Sequence, residues 1–206
     1  MSVTFEFIKK NGTDQELWAG IRNSNEAAFT AVFDLYHKPL YNYGSKLCSN
    51  TSLVEDAVQD VFIDIWRLRQ GLTPEITSIK FYLYRALRRR IHVGLSRHLS
   101  MEEIGMLDDE DVPHSIANSE TILIETESSL IRARQVQELL AKLPERQIEA
   151  ITLRYFEEFN TEEIAQIMGV SEKSVRNFIY KALTSLRAHR QARLISTLIF
   201  WFTLVF

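Results

Sequence analysis

Cysteine, proline and glycine are all scarce in this chain of 206 residues: one, four and seven respectively. The single Cys48 excludes an internal disulfide and points to a reducing cytoplasm. So little glycine and proline excludes a low-complexity or fibrous chain. The five histidines (His37, His92, His98, His114, His189) fall at no metal-ligand spacing, and Cys48 adds none, so no metal site is expected. Strand-type alternation and long internal repeats are also missing. The opening "MSVTFEFIKK" has no basic segment followed by an apolar one, so no signal peptide is expected.

Charge is present but segregated. The net charge is -3. Residues 21–98 hold 11 basic and 7 acidic side chains, and residues 131–193 hold 11 basic and 8 acidic. Between them, residues 99–130 hold 9 acidic side chains and no Lys or Arg. The last 13 residues carry no charge. Two mildly basic modules joined by an acidic, solvated connector suit a protein that meets an anion with both.

The spacing of apolar residues is helical throughout, which predicts an all-α fold of two small helical domains and a flexible linker. In the first block, Phe29, Val32, Phe33 and Tyr36 recur at three- and four-residue steps, with Ser24 or Asn25 as N-cap. Pro39 is expected to interrupt or kink this helix. A second helix is expected to open at a Thr51 or Ser52 cap, to line one face with Val54, Val58, Val61, Ile65 and Leu68, and to close at Gly71. A long third helix follows over "SIKFYLYRALRRRIHVGLSRH". Gly105, Pro113 and many carboxylates mark residues 99–130 as linker, with a short helix near Glu120 to Glu127. Helical spacing resumes at residue 131, and Pro144 stands at the first turn of a new helix. The expected division is an N-terminal extension (1–20), a first domain (21–98), the linker (99–130), a second domain (131–190) and an apolar tail (191–206).

"TEEIAQIMGVSEKSVRNFIYKALTSLR" (161–187) reads as a helix-turn-helix. Ala165 is small where two helices cross, Gly169 supplies the positive φ of the turn, and Val175 packs the second helix onto the first. Ile164, Met168, Val170, Phe178, Ile179, Ala182 and Leu186 complete the seam, and Ser171 caps the second helix. That helix exposes Lys173, Ser174, Arg176, Asn177 and Lys181. In this geometry its N-terminal turns enter the major groove. Arg and Asn suit base edges, while Ser and Lys suit phosphates. A plain helical hairpin with a solvated face fits the same pattern, and one such unit makes few phosphate contacts by itself.

"RALRRRIHVGLSRH" concentrates Arg85, Arg88, Arg89, Arg90, Arg97, His92 and His98 within 14 residues, a density that suits a phosphate backbone. Tyr82 and Tyr84 precede it and are placed to stack on unpaired bases, Tyr84 being equally suited to the helix core. Asp56, Gln59, Asp60 and Ile63 share one face of the preceding helix; that face is either solvated or turned to a basic partner.

"AFTAVFDLYHKPLYNYG", "LVEDAVQDVFIDIW" and "FYLYRALRRRIHVGLSRH" resemble region 2 of extracytoplasmic-function (ECF) sigma factors. "LAKLPERQIEAITLRYFEEFNTEEIAQIMGVSEKSVRNFIYKALTSLR" resembles their region 4. The resemblance covers about residues 25–98 and 131–188, in the family's order. It implies a bacterial RNA polymerase sigma factor with no catalytic residue and no cofactor. It also implies docking on the β′ clamp helices through Asp56, Gln59, Asp60, Phe62 and Trp66. Opening of the −10 element would fall to Tyr82, Arg85, Arg88, Arg89, Arg90, His92 and Arg97. Recognition of −35 would fall to Ser171, Lys173, Ser174, Arg176, Asn177 and Lys181, with a contact to the β flap. An anti-sigma protein is the implied regulatory partner. The family pattern "RNxxxD" is broken by Arg89 and Val93, which implies an altered −10 preference.

The tail "LISTLIFWFTLVF" (194–206) is uncharged. As a helix it would span ~20 Å, short of the ~30 Å hydrocarbon core. It is expected to pack on the second domain, to lie at a membrane surface or to meet a partner. Two other classes stay open at this point: a stand-alone helix-turn-helix regulator with an N-terminal sensing domain, and a non-DNA helical adaptor anchored by the tail.

Overall fold

A computed structural model describes residues 13–102 and 143–188, with side chains for 13–95 and 143–187. The short helix expected near Glu120 to Glu127, most of the linker and the apolar tail lie outside the described residues. The chain divides into two compact units, Met1–Ser115 and Ile116–Phe206, so the division falls inside the expected linker. Every described element is helical, as the periodicity requires.

Among the described residues the first unit has four α-helices: α1 (Asp14–Arg22), α2 (Glu26–Leu47), α3 (Thr51–Arg67) and α4 (Ile79–Glu102). Thr13 and Glu16 start α1 with a reciprocal capping box, and two Thr13 hydrogen bonds, the backbone one foremost, hold the Glu16 carboxyl below its ordinary range. The expected extension is thus partly structural. Leu17, Trp18 and Ile21 of α1 are buried, and Trp18 donates its indole N–H to the Thr73 carbonyl at 2.9 Å. Asn25 caps α2, which runs unbroken through Pro39 to Leu47. The cap of α3 is Asn50, whose side chain accepts from the Leu53 N–H at 3.1 Å, so the expected Thr51 becomes the first helical residue. That helix ends at Arg67, ahead of Gly71, which closes a short 3₁₀ turn over Arg69–Gly71.

Helices α2, α3 and α4 bury a common core that includes Leu40, Tyr43, Val54, Val58, Leu83 and Leu87. Gly44 lets α2 approach closely: a Cβ there would stand 2.7 Å from Val54 Cγ1 and 3.2 Å from Ile91 Cδ1. Tyr84 is fully buried and stacks at 5.0 Å on Tyr43.

Among its described residues the second unit has α5 (Glu145–Ile151), a π turn (Thr152–Phe156), α6 (Thr161–Met168) and α7 (Glu172–Ala188). Pro144 is the N-cap of α5. Asn160 and Glu163 form the capping box of α6, and Gly169 ends that helix at φ 64°. Ser171 then accepts the Ser174 N–H at 3.2 Å and starts α7. Ile164, Ala165, Met168, Val175 and Ala182 are buried in the seam, while Val170, Phe178, Ile179 and Leu186 are half-buried at its margin. Arg146 of α5 reaches the end of α6: its Nη1 donates to the Met168 carbonyl at 3.5 Å and stands 3.7 Å from the buried Glu149 carboxylate.

Candidate nucleic-acid interface and docking face

The outer face of α7 is built by spacing alone. Burying Val175 and Ala182 leaves Lys173, Arg176, Asn177 and Lys181 exposed, with Ser174 half-buried beside them. Arg176 is steadied by Glu172 one turn earlier, at 3.0 Å, and keeps 63% of its side chain exposed. Ser171 is committed locally, since its hydroxyl caps the helix and lies 2.9 Å from Ser174 Oγ. The expected reading residues therefore share one helix face, with the two serines nearest the turn. Tyr180 was not among them. It is 69% exposed, four residues from Arg176 and three from Asn177, and that spacing was readable in the sequence.

On α4 the cationic cluster splits three ways. Tyr82, Arg85, Arg89 and His92 recur at three- and four-residue steps; Arg85 and Arg89 are exposed, and Tyr82 and His92 half-buried. Tyr82 packs edge-on against Trp18 at 5.1 Å. Burial first, and the Asp64 charge second, raise its phenol above the ordinary range. Arg88 points inward and is only 8% exposed, so it belongs to the interior of the domain. Arg90 turns to α3, donating from Nη1 to Asp60 at 2.7 Å and from Nη2 to Asp64. Arg97 lies on α4, its side chain outside the described set. Val93, at the second departure from the family pattern, is 44% exposed. Periodicity could separate the in-line Arg85 and Arg89 from the rest, but not the inward Arg88 from the cross-helix Arg90.

The outer face of α3 carries Asp56, Gln59 and Asp60, all exposed, and Ile63, 56% exposed. Phe62 is not on that face. It is 3% exposed and packs edge-to-face against Phe29 at 6.3 Å and Phe33 at 4.9 Å. Its four-residue spacing from Trp66 reflects core packing, which positions the helix and does not present the Phe62 ring to a partner. Trp66 is half-buried, 5.0 Å from Phe29, with the Arg69 guanidinium 4.5 Å above its ring. Asp56, Gln59 and Asp60 thus form the exposed set, flanked by Trp66. Among the described residues no group of His, Cys, Asp and Glu could hold a metal ion, and no helix is long and apolar enough to cross a membrane.

Residues 32–98 match the family model described as Sigma-70 region 2, and residues 133–186 match Sigma-70, region 4. Together the two matches cover more than half of the chain, in the order of the two units. The chain belongs to the sigma-70 family.

Among its relatives is a sigma factor of the ECF class. The ECF RNA polymerase sigma factor SigM of Bacillus subtilis (strain 168) is 21% identical over 158 residues, which is 76% of this chain and 91% of SigM. A structure of CnrH in complex with the cytosolic domain of CnrY matches with a TM-score of 0.58 at 20% identity, covering 87% of this chain and 98% of that one. The sigma factor RpoE, in complex with the anti-sigma factor NepR from Bartonella quintana, matches with a TM-score of 0.55 at 20% identity, covering 80% of this chain and 98% of that one. At such identities the structural likenesses establish the shared helical fold. The three short stretches and the long one that resembled regions 2 and 4 lie within or against the matched segments.

Proposed function

We infer that this sigma-70 family chain is an RNA polymerase sigma factor, which binds core polymerase and directs promoter-specific initiation. One observation carries this reading: region 2 and region 4 both occur in one chain, in order. A stand-alone helix-turn-helix regulator accounts for residues 133–186 alone and leaves the region 2 match unexplained. The protein supplies promoter recognition, and polymerase performs the chemistry where it resides, in the cytoplasm.

The division of labour is as follows. The α3 face of Asp56, Gln59 and Asp60 docks on basic residues of the β′ clamp helices, with Trp66 at its edge. The Tyr82–Arg85–Arg89–His92 stripe of α4 meets the opened −10 strand, through stacking and phosphate attraction. Lys173, Ser174, Arg176, Asn177 and Lys181 of α7, with Tyr180 beside them, read the −35 element. Region 4 also contacts the β flap. One helix-turn-helix binds duplex weakly alone, but tethering through α3 raises its effective concentration at a promoter. Arg89, where the family commonly has Asn, exchanges base discrimination for attraction to the backbone. An anti-sigma protein, the kind of partner that the RpoE structure carries, covers these surfaces when the protein is idle.

Transcription in vitro with purified core polymerase on a genomic template tests the reading. Promoter-specific transcripts that require this protein are expected. Tight sequence-specific duplex binding without polymerase, and no transcripts with it, would instead identify a stand-alone regulator.

A further inference from the structure

Arg90 belongs by sequence to the DNA-facing helix and by contact to the docking helix. Its Nη1 donates to Asp60 Oδ2 at 2.7 Å, and its Nη2 donates to Asp64 Oδ2. Asp64 also accepts from Arg67 at 3.0 Å. The side chains of Arg90, Asp60 and Asp64 are 32%, 54% and 33% exposed. Asp60 therefore stands half in solvent, on the face it shares with Asp56, Gln59 and Ile63. A cation that approaches this face finds Asp60 already engaged by Arg90.

An ion pair this exposed exchanges readily, because solvent and a second cation replace it at little cost; such pairs shift an equilibrium by at most about fivefold. A fully buried pair would not exchange, since breaking it strands a charge. Asp64 is also provided for: it keeps Arg67 when Arg90 leaves. The fork geometry of arginine spans both carboxylates at once, which a lysine cannot do. The next residue back along α4 is Arg89, exposed on the stripe assigned to the −10 strand.

We propose that Arg90 is shared by the two tasks of the first unit: in the free protein it is held by Asp60 and Asp64, and a basic partner surface that takes Asp60 releases its guanidinium to bind promoter phosphate beside Arg89. Docking is thereby coupled to DNA engagement, and the free protein withholds one cation from DNA until it is docked. The proposal rests on the α3 docking face. Its signature is of opposite sign in two measurements. Without Arg90, Asp60 offers its whole charge to the partner, so docking tightens. The same change removes a phosphate contact, so promoter opening weakens.

The test uses the full chain and purified core polymerase. Arg90→Gln is expected to bind core about two- to fivefold tighter. At saturating core it should form open complexes less readily, with the salt slope of promoter binding reduced by about 1. Arg90→Lys should bind core more tightly than the parent while keeping the salt slope, because it loses the fork and retains the charge. Weaker core binding by Arg90→Gln, in step with a lower unfolding midpoint, would show Arg90 to be only a brace between α3 and α4 and would overturn the proposal. If Arg90→Gln fails to fold, Arg90→Lys decides: core affinity equal to the parent's overturns it. Asp56→Asn and Gln59→Ala separate the two levels. Unchanged core affinity in both removes the docking face and this proposal with it. Weakened affinity in both, with no gain at Arg90→Gln, removes this proposal alone.

Discussion

The carboxylate of Asp14 accepts the backbone N–H of Ile79 at 2.8 Å, across 65 residues of sequence. The first helix thus satisfies a donor in the first turn of α4, the helix that carries the cationic stripe. Asp14→Ala should lower the stability of the first unit by about 1 kcal/mol, the usual worth of a cap, while Asp14→Asn retains most of it. Urea unfolding of the full chain, followed by the fluorescence of buried Trp18, measures this directly.

Arg88 and Arg89 are neighbours with different environments, one buried and one exposed. Arg89→Ala should leave the unfolding midpoint unchanged and reduce the salt slope of promoter binding by about 1. Arg88→Ala should destabilise the domain first, by about 1–3 kcal/mol, through lost packing of its buried stem. Arg89→Asn, profiled on a library of −10 sequences, should change the preference among them; an unaltered profile rules out base selection at this position.

On α3, Phe62 and Asp56 should behave as opposites. Phe62→Ala empties the aromatic contact with Phe29 and Phe33 and should cost about 3–5 kcal/mol of stability. Asp56→Ala, on the exposed face, should stay within about 0.5 kcal/mol in stability yet weaken binding to core polymerase. Titrating both variants with core at fixed salt, beside thermal melts, separates the two effects.

At the recognition helix, Arg176→Ala and Asn177→Ala should each relax selection at particular −35 positions, by about 1–3 kcal/mol per lost bidentate contact. Lys181→Ala should weaken all sequences alike, as a phosphate contact does. Tyr180→Ala should lower −35 affinity without changing the fold. Run-off transcription from a −35 library reads all four.

Alkaline pH should unfold the first unit earlier than its composition suggests. Burial raises the phenols of both Tyr36 and Tyr82, with Asp14 and Asp64 respectively adding to the effect. Their folded forms hold the proton more tightly than the unfolded chain does. The stability they contribute is complete below the ordinary phenol range near about 10, and is lost as pH rises through the folded values. Tyr36→Phe and Tyr82→Phe should each flatten the fall in unfolding free energy above about pH 10.

The caps, the turn and the seam of the second unit were legible because they depend on local chemistry. Gly169 has the positive φ its type suggests, and Ser171 accepts the N–H it was placed to accept. Of the two expected caps of α2, Asn25 is the one used, whereas α3 is capped by Asn50 and not by the expected Thr51 or Ser52. Residues whose roles depend on a distant helix were harder to read. Tyr84 goes to the core because Tyr43 faces it, and Arg88 and Arg90 differ only in which neighbour α4 presents to each. Trp18 gives no local sign that it will donate to Thr73, 55 residues away.

The two tryptophans of the first unit also differ in what light they report. Trp18 is 1% exposed, so its emission follows the integrity of the core and little else. Trp66 is half-buried at the edge of the proposed docking face, with a guanidinium resting on its ring. A partner seated on α3 would strip water from that indole and disturb the cation above it, shifting its emission while Trp18 stays silent. The native sequence therefore carries an optical reporter of docking beside an internal reference for folding.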